Sequence, residues 1–423
     1  ERILRFANVA GAIVASRLGC STGVPTGAEG APLLREDGTL ERAKIRAYIA
    51  ATMASHDAFR LRLRRSFLGL TPPAWVPDDD FDLERHLIFS DEHVDFATAD
   101  LRRLSGSEDP VFSQRHPLWR MRITALTDGR VAVGMTLHHA SIDGLSGMRM
   151  FSTVTQANPD QALPEPRDPF AGVRSARSWQ LPLLALSQWW AREGSVAAAW
   201  RSYRSKPFLR RVRRVAARIT LPLRYGWGGA AARAAALPPR HSAYRRLDAA
   251  LAGRRARELG GTLSDLQVAA IIGAWGGDDR VVSLRFPVSF HSSAQPHIRN
   301  HVRDMAVYGD ADADLSATIS SVHQQVEDRD DDKPYPGVPG FPIGYSTLLP
   351  WVSRPRYFCG AEISGVVPFP ASLGRDSLAA AGIMYRGQLF IGANMPDTAD
   401  VEATVGRMYE LMTGQPDTGR PLA

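Results

Sequence analysis

At 423 residues, with 44% hydrophobic and 22% charged side chains, the chain exceeds what one core usually holds. It reads as a two-domain globular protein, neither fibrous nor disordered. Cys20 and Cys359 give no disulfide framework and no zinc spacing, and no apolar run nears the ~20 residues of a spanning helix, so a cytoplasmic protein is expected. The formal charge of +7 is uneven, because no carboxylate lies between Glu193 and Asp248, where eight basic residues from Arg201 to Arg218 follow closely. Such a face suits either solvent or an anionic partner such as lipid, a phosphorylated cofactor or an acidic protein.

Residues 6–15 are expected to form a buried strand, being too short for a signal segment. Glu1 in place of a methionine leaves room for residues before it. Ile45, Tyr48, Ile49, Thr52 and Met53 recur at helical spacing within 40–53. Phe59, Leu61 and Leu63 then alternate with Arg60, Arg62 and Arg64, which predicts a half-buried strand with its arginines outward. The segment TPPAWVP at 71–77 is expected to be irregular, because proline cannot feed a sheet ladder.

Met121, Ile123 and Ala125 alternate up to Asp128-Gly129, and Val131, Val133 and Met135 alternate away from it, which predicts a β-hairpin. Residues 145–154 read as a helix, and 178–218 as a tryptophan-rich helical stretch with Trp189 and Trp190. Gly, Ala and Pro at 226–239 suggest a linker. Thr262 and Asp265 signal the capped start of a helix at 266–275, and 281–290 reads as a strand whose Pro287 points to an edge or irregular position. An exposed loop is expected at 327–340. A last helix carries Val401, Val405, Met408 and Met412, with Asp397 as its candidate cap. Helices and strands mixed through both halves point to an α/β or α+β fold.

The chemistry concentrates in HHASIDG at 138–144, at the end of the second hairpin strand. Neighbouring residues of a strand point to opposite faces, so only one of the two histidines can serve a given cavity. Histidine titrates near neutral pH and can take a proton from a hydroxyl or amine, then return it to a leaving group. Asp143 could orient the imidazole or brace the loop, and Gly144 leaves the backbone open to a substrate. Two other readings compete with general-base catalysis. The histidines could be satisfied core or turn residues, or two histidines and a carboxylate could hold a metal, although adjacent strand histidines diverge. His297 and His301 read as surface residues. GYSTL at 344–348 lacks the closing glycine of a serine-hydrolase elbow, and the chain carries no nucleotide-binding or nucleic-acid motif.

PLW at 117–119, the hairpin and HHASIDGLSGMRMF at 138–151 together resemble the wax ester synthase/diacylglycerol acyltransferase family, within the larger HHxxxDG group that includes peptide-synthetase condensation domains. FDLERH at 81–86 resembles its FDL..H segment. Residues 262–270 resemble its T-x-N-D helix, with Ser264 where Asn is usual. PVS at 287–289 resembles its PVS strand, and Tyr385-Arg386-Gly387 its late Y-x-G strand. The resemblance covers roughly 35–412 in order.

It implies two chloramphenicol-acetyltransferase-like lobes forming a V around a central channel, with the acyl donor and the acceptor entering from opposite faces. The boundaries expected are a first lobe at 1–175, a basic helical connector at 176–240 and a second lobe at 241–423. It also implies His139 as the base, Asp143 as chiefly structural and His138 as a packing residue behind the base. The chain departs from the family where Arg usually follows PVS-x, since His291 stands there. Asn300 (in Arg299-Asn300) and Ser346-Thr347 stand where Gly-Asn and Ser-Asn are usual. These four positions, His291, Asn300, Ser346 and Thr347, are the candidate substrate-binding residues.

The expected activity is transfer from acyl-CoA to the hydroxyl of an alcohol, with no bound cofactor or metal. Alternatives are a carrier-protein-dependent condensation enzyme forming an ester or amide, and a non-catalytic acyl-binding scaffold. Expected partners are the acyl thioester and the acceptor, an acyl carrier protein in the second case, and a peripheral contact with the inner membrane, but no nucleic acid.

Overall fold

A computed structural model of the chain describes residues 19–23, 33–71, 73–105, 112–138, 151–193, 204, 240–278, 280–289, 302–329, 342–350, 353–370 and 377–419. The expectations for 6–15, 145–150, 226–239, most of the basic stretch at 201–218, and His297 and His301 lie outside these residues, as does all of 330–340.

In chain order the elements begin with β1 (Gly19–Gly23), α1 (Arg42–Thr52), β2 (Leu61–Arg64), β3 (Ala74–Pro77), β4 (Leu87–Val94), the turn-long α2 (Leu101–Leu104), β5 (Trp119–Leu126), β6 (Val131–Leu137) and α3 (Gln180–Glu193). The second half holds β7 (Arg240–Asp248), α4 (Ala249–Glu258), α5 (Leu263–Gly273), β8 (Val281–Ser289), β9 (Val302–Asp310) and α6 (Leu315–Glu327). It ends with β10 (Gly344–Pro350), β11 (Tyr357–Phe358), β12 (Ala361–Glu362), β13 (Gly365–Phe369), β14 (Leu378–Tyr385), β15 (Gln388–Pro396) and α7 (Val401–Thr413). Parallel and antiparallel pairings are mixed, as an α/β or α+β fold requires.

The predicted hairpin forms as read, with β5 antiparallel to β6 and Gly129 at φ +79° in its turn. β4 runs parallel to β5 on the other side and completes a three-stranded sheet. The second sheet has the order β7-β15-β14-β10-β8-β9. Leu378 and Ala380 of β14, with Leu389, Ile391 and Ala393 of β15, pack into one core with α4, α5, α6 and α7. Ile383, Tyr385 and Phe390 of the same strands pack into the other core, with α1, β5 and β6. Both faces of this sheet are covered, which explains why β14 and β15 are near-continuous apolar runs. α5 is buried around most of its circumference, as befits a helix between a sheet and three other helices, α4, α6 and α7.

The two halves are also joined through strands. β13 pairs antiparallel with β1, and β1 lies beside β6. Phe358, Ile363, Val366, Val367 and Phe369 therefore belong to the same core as Tyr48 and Met121.

Several local expectations are corrected. Ala74–Pro77 is a strand paired with β2, with Pro77 at its last position opposite Leu61. Arg60 and Arg62 do not point outward. Arg60 meets Asp168 at 3.1 Å and Arg62 the buried Asp78 at 3.3 Å, and both guanidinium stems are largely covered. β8 lies inside the sheet. Pro287 fits because β10 pairs with β8 only at Leu284 and Arg285, leaving the ladder one-sided beyond them. Asp400, not Asp397, caps α7 by accepting the Ala403 N–H at 2.9 Å. Tyr385-Arg386-Gly387 is a hairpin turn leaving β14, with Arg386 at φ +52° and Gly387 at φ +75°.

Candidate active site

β6 delivers His138 to the edge of the three-stranded sheet. Its position is set by α2, whose carbonyl end crosses directly over Gly134. A Cβ at Gly134 would lie 2.0 Å from the Leu104 carbonyl oxygen and 2.6 Å from Ser105 Cα. Thr136 Oγ1 donates to the Ser105 carbonyl at 2.7 Å, two residues further along the strand. The backbone N–H of His138 then donates to the Leu118 carbonyl at 2.9 Å. The His138 side chain is buried and meets the Phe112 ring edge-on at 6.4 Å. His139, Asp143 and Gly144 lie outside the described residues, as do His291 and Asn300.

Behind this strand, two segments singled out in the sequence come together. The His86 imidazole stacks on the Trp119 indole at 4.4 Å, and Phe81 stacks on the other face of His86 at 5.3 Å. His86 Nδ1–H donates to the Trp119 carbonyl, while Trp119 Nε1–H donates to the Phe59 carbonyl. Burial holds the His86 pKa down at about 4, so this ring is neutral and structural near pH 7.

Beyond the motif the chain emerges as a helix at 151–154. The last four carbonyls of a helix lack partners within it. Here those of 151, 152 and 154 meet side-chain donors, as does the carbonyl of Thr155 just beyond. Thr155 Oγ1 donates to the Phe151 carbonyl, Tyr48 Oη to that of Val154, and Arg356 Nη2 to those of Ser152 and Thr155. Gln156 and Tyr357 exchange backbone hydrogen bonds at 2.8 and 2.9 Å, and Gly360 N–H donates to Gln156 Oε1.

In the second half, Ser346 of β10 is fully buried and accepts from Gln267 Nε2 at 3.0 Å. The same Nε2 donates to the Thr347 carbonyl at 2.9 Å. Gly382 on β14 makes room for this amide, since a Cβ there would lie 2.3 Å from Gln267 Oε1. Ser346 thus faces α5, and Thr347, one residue on, belongs to the opposite face of the strand. Asp265 completes the predicted capping box, accepting from Thr262 N–H and Oγ1 and also meeting His323 Nδ1 at 2.8 Å. Arg240 holds Asn394 through its side chain and backbone, while Arg102 of α2 donates to the Arg240 carbonyl.

Sequence reasoning missed Gln267, Arg240 and Arg356. A lone glutamine inside the apolar run LQVAAIIG was a usable signal for the first. Arg240 and Arg356 carry no local signature.

Among the described residues no group of three or more His, Cys, Asp or Glu side chains could hold a metal ion. None of the described helices is long and apolar enough to cross a membrane.

The family pattern for the wax ester synthase/diacylglycerol acyltransferase catalytic domain matches residues 29–266, more than half of the chain. The chain belongs to that family. Among curated relatives, a Mycobacterium tuberculosis protein named as a probable diacylglycerol O-acyltransferase is 35% identical over 96 residues, 22% of this chain and 21% of that protein. Another from the same organism, also named as a diacylglycerol O-acyltransferase, is 29% identical over 157 residues, 35% of this chain and 32% of that one. The chain thus spans about a fifth to a third of the curated relatives it matches.

Likeness of fold extends much further. The wax ester synthase/diacylglycerol acyltransferase from Marinobacter aquaeolei VT8 superposes with a TM-score of 0.57 at 16% identity, over 95% of this chain and 94% of that one. The first condensation domain of the calcium-dependent antibiotic synthetase does so at 0.56 and 15% identity, over 99% and 95%. The wax ester synthase/diacylglycerol acyltransferase fold expected from the sequence is therefore the fold of this chain.

Proposed function

We propose that this wax ester synthase/diacylglycerol acyltransferase family member moves an acyl group from acyl-CoA to the hydroxyl of an alcohol. His139 takes the hydroxyl proton, the oxygen attacks the thioester carbonyl, and an ester C–O bond forms as the C–S bond breaks. The imidazolium then returns the proton to the departing thiolate, giving free CoA. A thioester is already activated, so the protein's task is to align two substrates and supply one base. The observation that carries this reading is the family match running through HHASIDG, with β6 ending at a buried His138. Because neighbouring strand residues are expected to serve opposite faces, this reading assigns packing to His138 and the base to His139.

In this reading Asp143 orients or braces the motif loop and Gly144 leaves room for the substrate. His291, Asn300 and Thr347 contact donor or acceptor, and Ser346 acts through the strand it anchors. The division at 1–175, 176–240 and 241–423 belongs to the same proposal. The test is release of CoA thiol from acyl-CoAs of graded length with a panel of alcohols and amines. Release that depends on an alcohol supports the reading. Release with no free CoA ester, but with the same acyl group on a carrier protein, would move the chain to the condensation-type alternative.

The finer localisation, a cytoplasmic protein resting on the inner membrane, is part of the same reading. Its support is an outward stripe at helical spacing, Trp179, Leu183, Leu186 and Trp190, each more than half exposed. Exposed Phe67 and Leu68 adjoin it through the Phe67 N–H to Ser178 carbonyl bond. Interfacial segments bury such stripes at the headgroup boundary. The paired variant Leu183→Ser/Leu186→Ser should lose flotation with phosphatidylglycerol vesicles. Wild-type protein that never floats at low salt would end this part of the proposal.

A further inference from the structure

From the second half of the chain, Arg356 reaches the helix at 151–154 that lies downstream of the histidine motif. Arg356 precedes β11, and its backbone is fixed on both sides. Its N–H donates to Tyr385 Oη at 3.0 Å, and its carbonyl accepts the Ile363 N–H at 2.8 Å. Tyr385 is itself buried in β14 and donates to the Ile363 carbonyl at 2.8 Å. From this frame the guanidinium extends to three acceptors at the end of the 151–154 helix. Nε donates to Thr155 Oγ1 at 2.9 Å, and Nη2 donates to the Ser152 carbonyl at 2.5 Å and to the Thr155 carbonyl.

Two features favour arginine there. A positive charge at the carbonyl end complements the helix dipole. A planar fork also serves several acceptors at fixed angles, which a lysine ammonium on a flexible stem does not. Burial pulls the guanidinium pKa down from its ordinary value, yet the group stays charged near neutrality. Tyr48 holds the Val154 carbonyl from α1, so this helix end is gripped from both halves of the chain.

We infer that Arg356 is a positioning residue for the HHASIDG motif, tying the chain at 152–155, downstream of it, to the frame of β14 and so restraining the proposed base at 139. The inference rests on the proposed acyl transfer. Anchoring the chain at 152–155 limits how far the segment leading back to the motif can shift, and a displacement of about 1 Å at a reacting group can cost on the order of 100-fold in rate. Losing the anchor should therefore lower kcat while leaving substrate affinity nearly unchanged.

The experiment compares wild type with Arg356→Gln, Arg356→Lys and Thr155→Val, the last guarding against simple misfolding because it removes one acceptor and keeps the charge. Steady-state acyl transfer, thermal melting and hydrogen exchange of the 139–156 peptides are recorded on the same preparations. Arg356→Gln should lose ~10–100-fold in kcat with KM within ~3-fold, Lys should recover part of it, and Thr155→Val should show a smaller loss of the same kind. Exchange should accelerate at 145–156 more than elsewhere. A folded Arg356→Gln protein with kcat within ~2-fold of wild type overturns the inference, as does a loss carried wholly by KM. If wild type transfers nothing while exchange still quickens in the variants, the helix anchor stands and the proposed function is what fails.

Discussion

The His86 imidazole lies flat on the Trp119 indole, 12° from parallel, and its Nδ1–H is donated to the carbonyl of that same Trp119 at 2.9 Å. Its Nε2 is buried with no hydrogen-bond partner among the described residues. A second proton would have to sit on that nitrogen without an acceptor among the described residues. The folded protein therefore resists protonation down to about pH 4, whereas the unfolded chain takes the proton near the ordinary value of 6.5.

Between these two pH values the unfolded state binds more protons, so stability rises with pH and falls on acidification. The loss should grow from pH 6.5 downward and approach roughly 3 kcal/mol near pH 4, at about 1.4 kcal/mol per pKa unit. Urea unfolding at pH 7 and pH 4.5 checks it. His86→Phe should be less stable at pH 7, because the Trp119 carbonyl loses its donor, but should show a shallower decline with acid. An identical decline in the two proteins would remove His86 from the acid response.

Gly134 is where α2 and the strand carrying the histidines touch backbone to backbone. Gly134→Ala places a methyl group 2.0 Å from the Leu104 carbonyl oxygen, and neither side can yield without moving main chain. The variant should lose on the order of 1–3 kcal/mol and should lose activity beyond that, because α2 sets the register of the strand end. Unfolding within ~0.5 kcal/mol of wild type would mean that the two elements part more easily than their packing suggests.

Gln267→Glu is nearly isosteric and tests the buried amide. It removes the donor to Ser346 and Thr347 and puts a carboxylate into an apolar helix face. Stability at pH 7 should fall by ~2 kcal/mol or more. Burial would raise the new carboxyl's folded pKa, so part of the loss should return as the pH is lowered towards 5. A loss that is insensitive to pH would contradict this account of the site.

The sequence revealed its locally encoded parts most readily. Period-two alternation and Asp128-Gly129 specify the hairpin without outside help, and Thr262 with Asp265 specifies a helix start through bonds only three residues long. The motif's perch at a strand end follows from the hairpin. What escaped was decided by distant chain. Arg60 and Arg62 alternate like solvent-facing residues, but Asp168 and Asp78 are brought to them by other segments. Ala74–Pro77 is a strand because β2 is beside it, not because of its own propensities. The grip of Arg356 on Ser152 spans 204 positions, and no local pattern could announce it. At α7 the sequence pointed to Asp397 as the cap, and the helix start selected Asp400, three residues on.

The central claim is that His139 is the base of an acyl transfer, and it is tested most directly by replacing each histidine of the pair. Ester formation from acyl-CoA and a long-chain alcohol is measured for wild type, His138→Ala and His139→Ala, with thermal melting of each. His139→Ala should lose at least ~100-fold in turnover with little change in melting, since a positioned base typically contributes 10²–10⁴-fold. His138→Ala should chiefly melt earlier, because that buried ring packs against the half-buried Phe112. A His139→Ala protein that still forms ester at near wild-type rate would contradict the account.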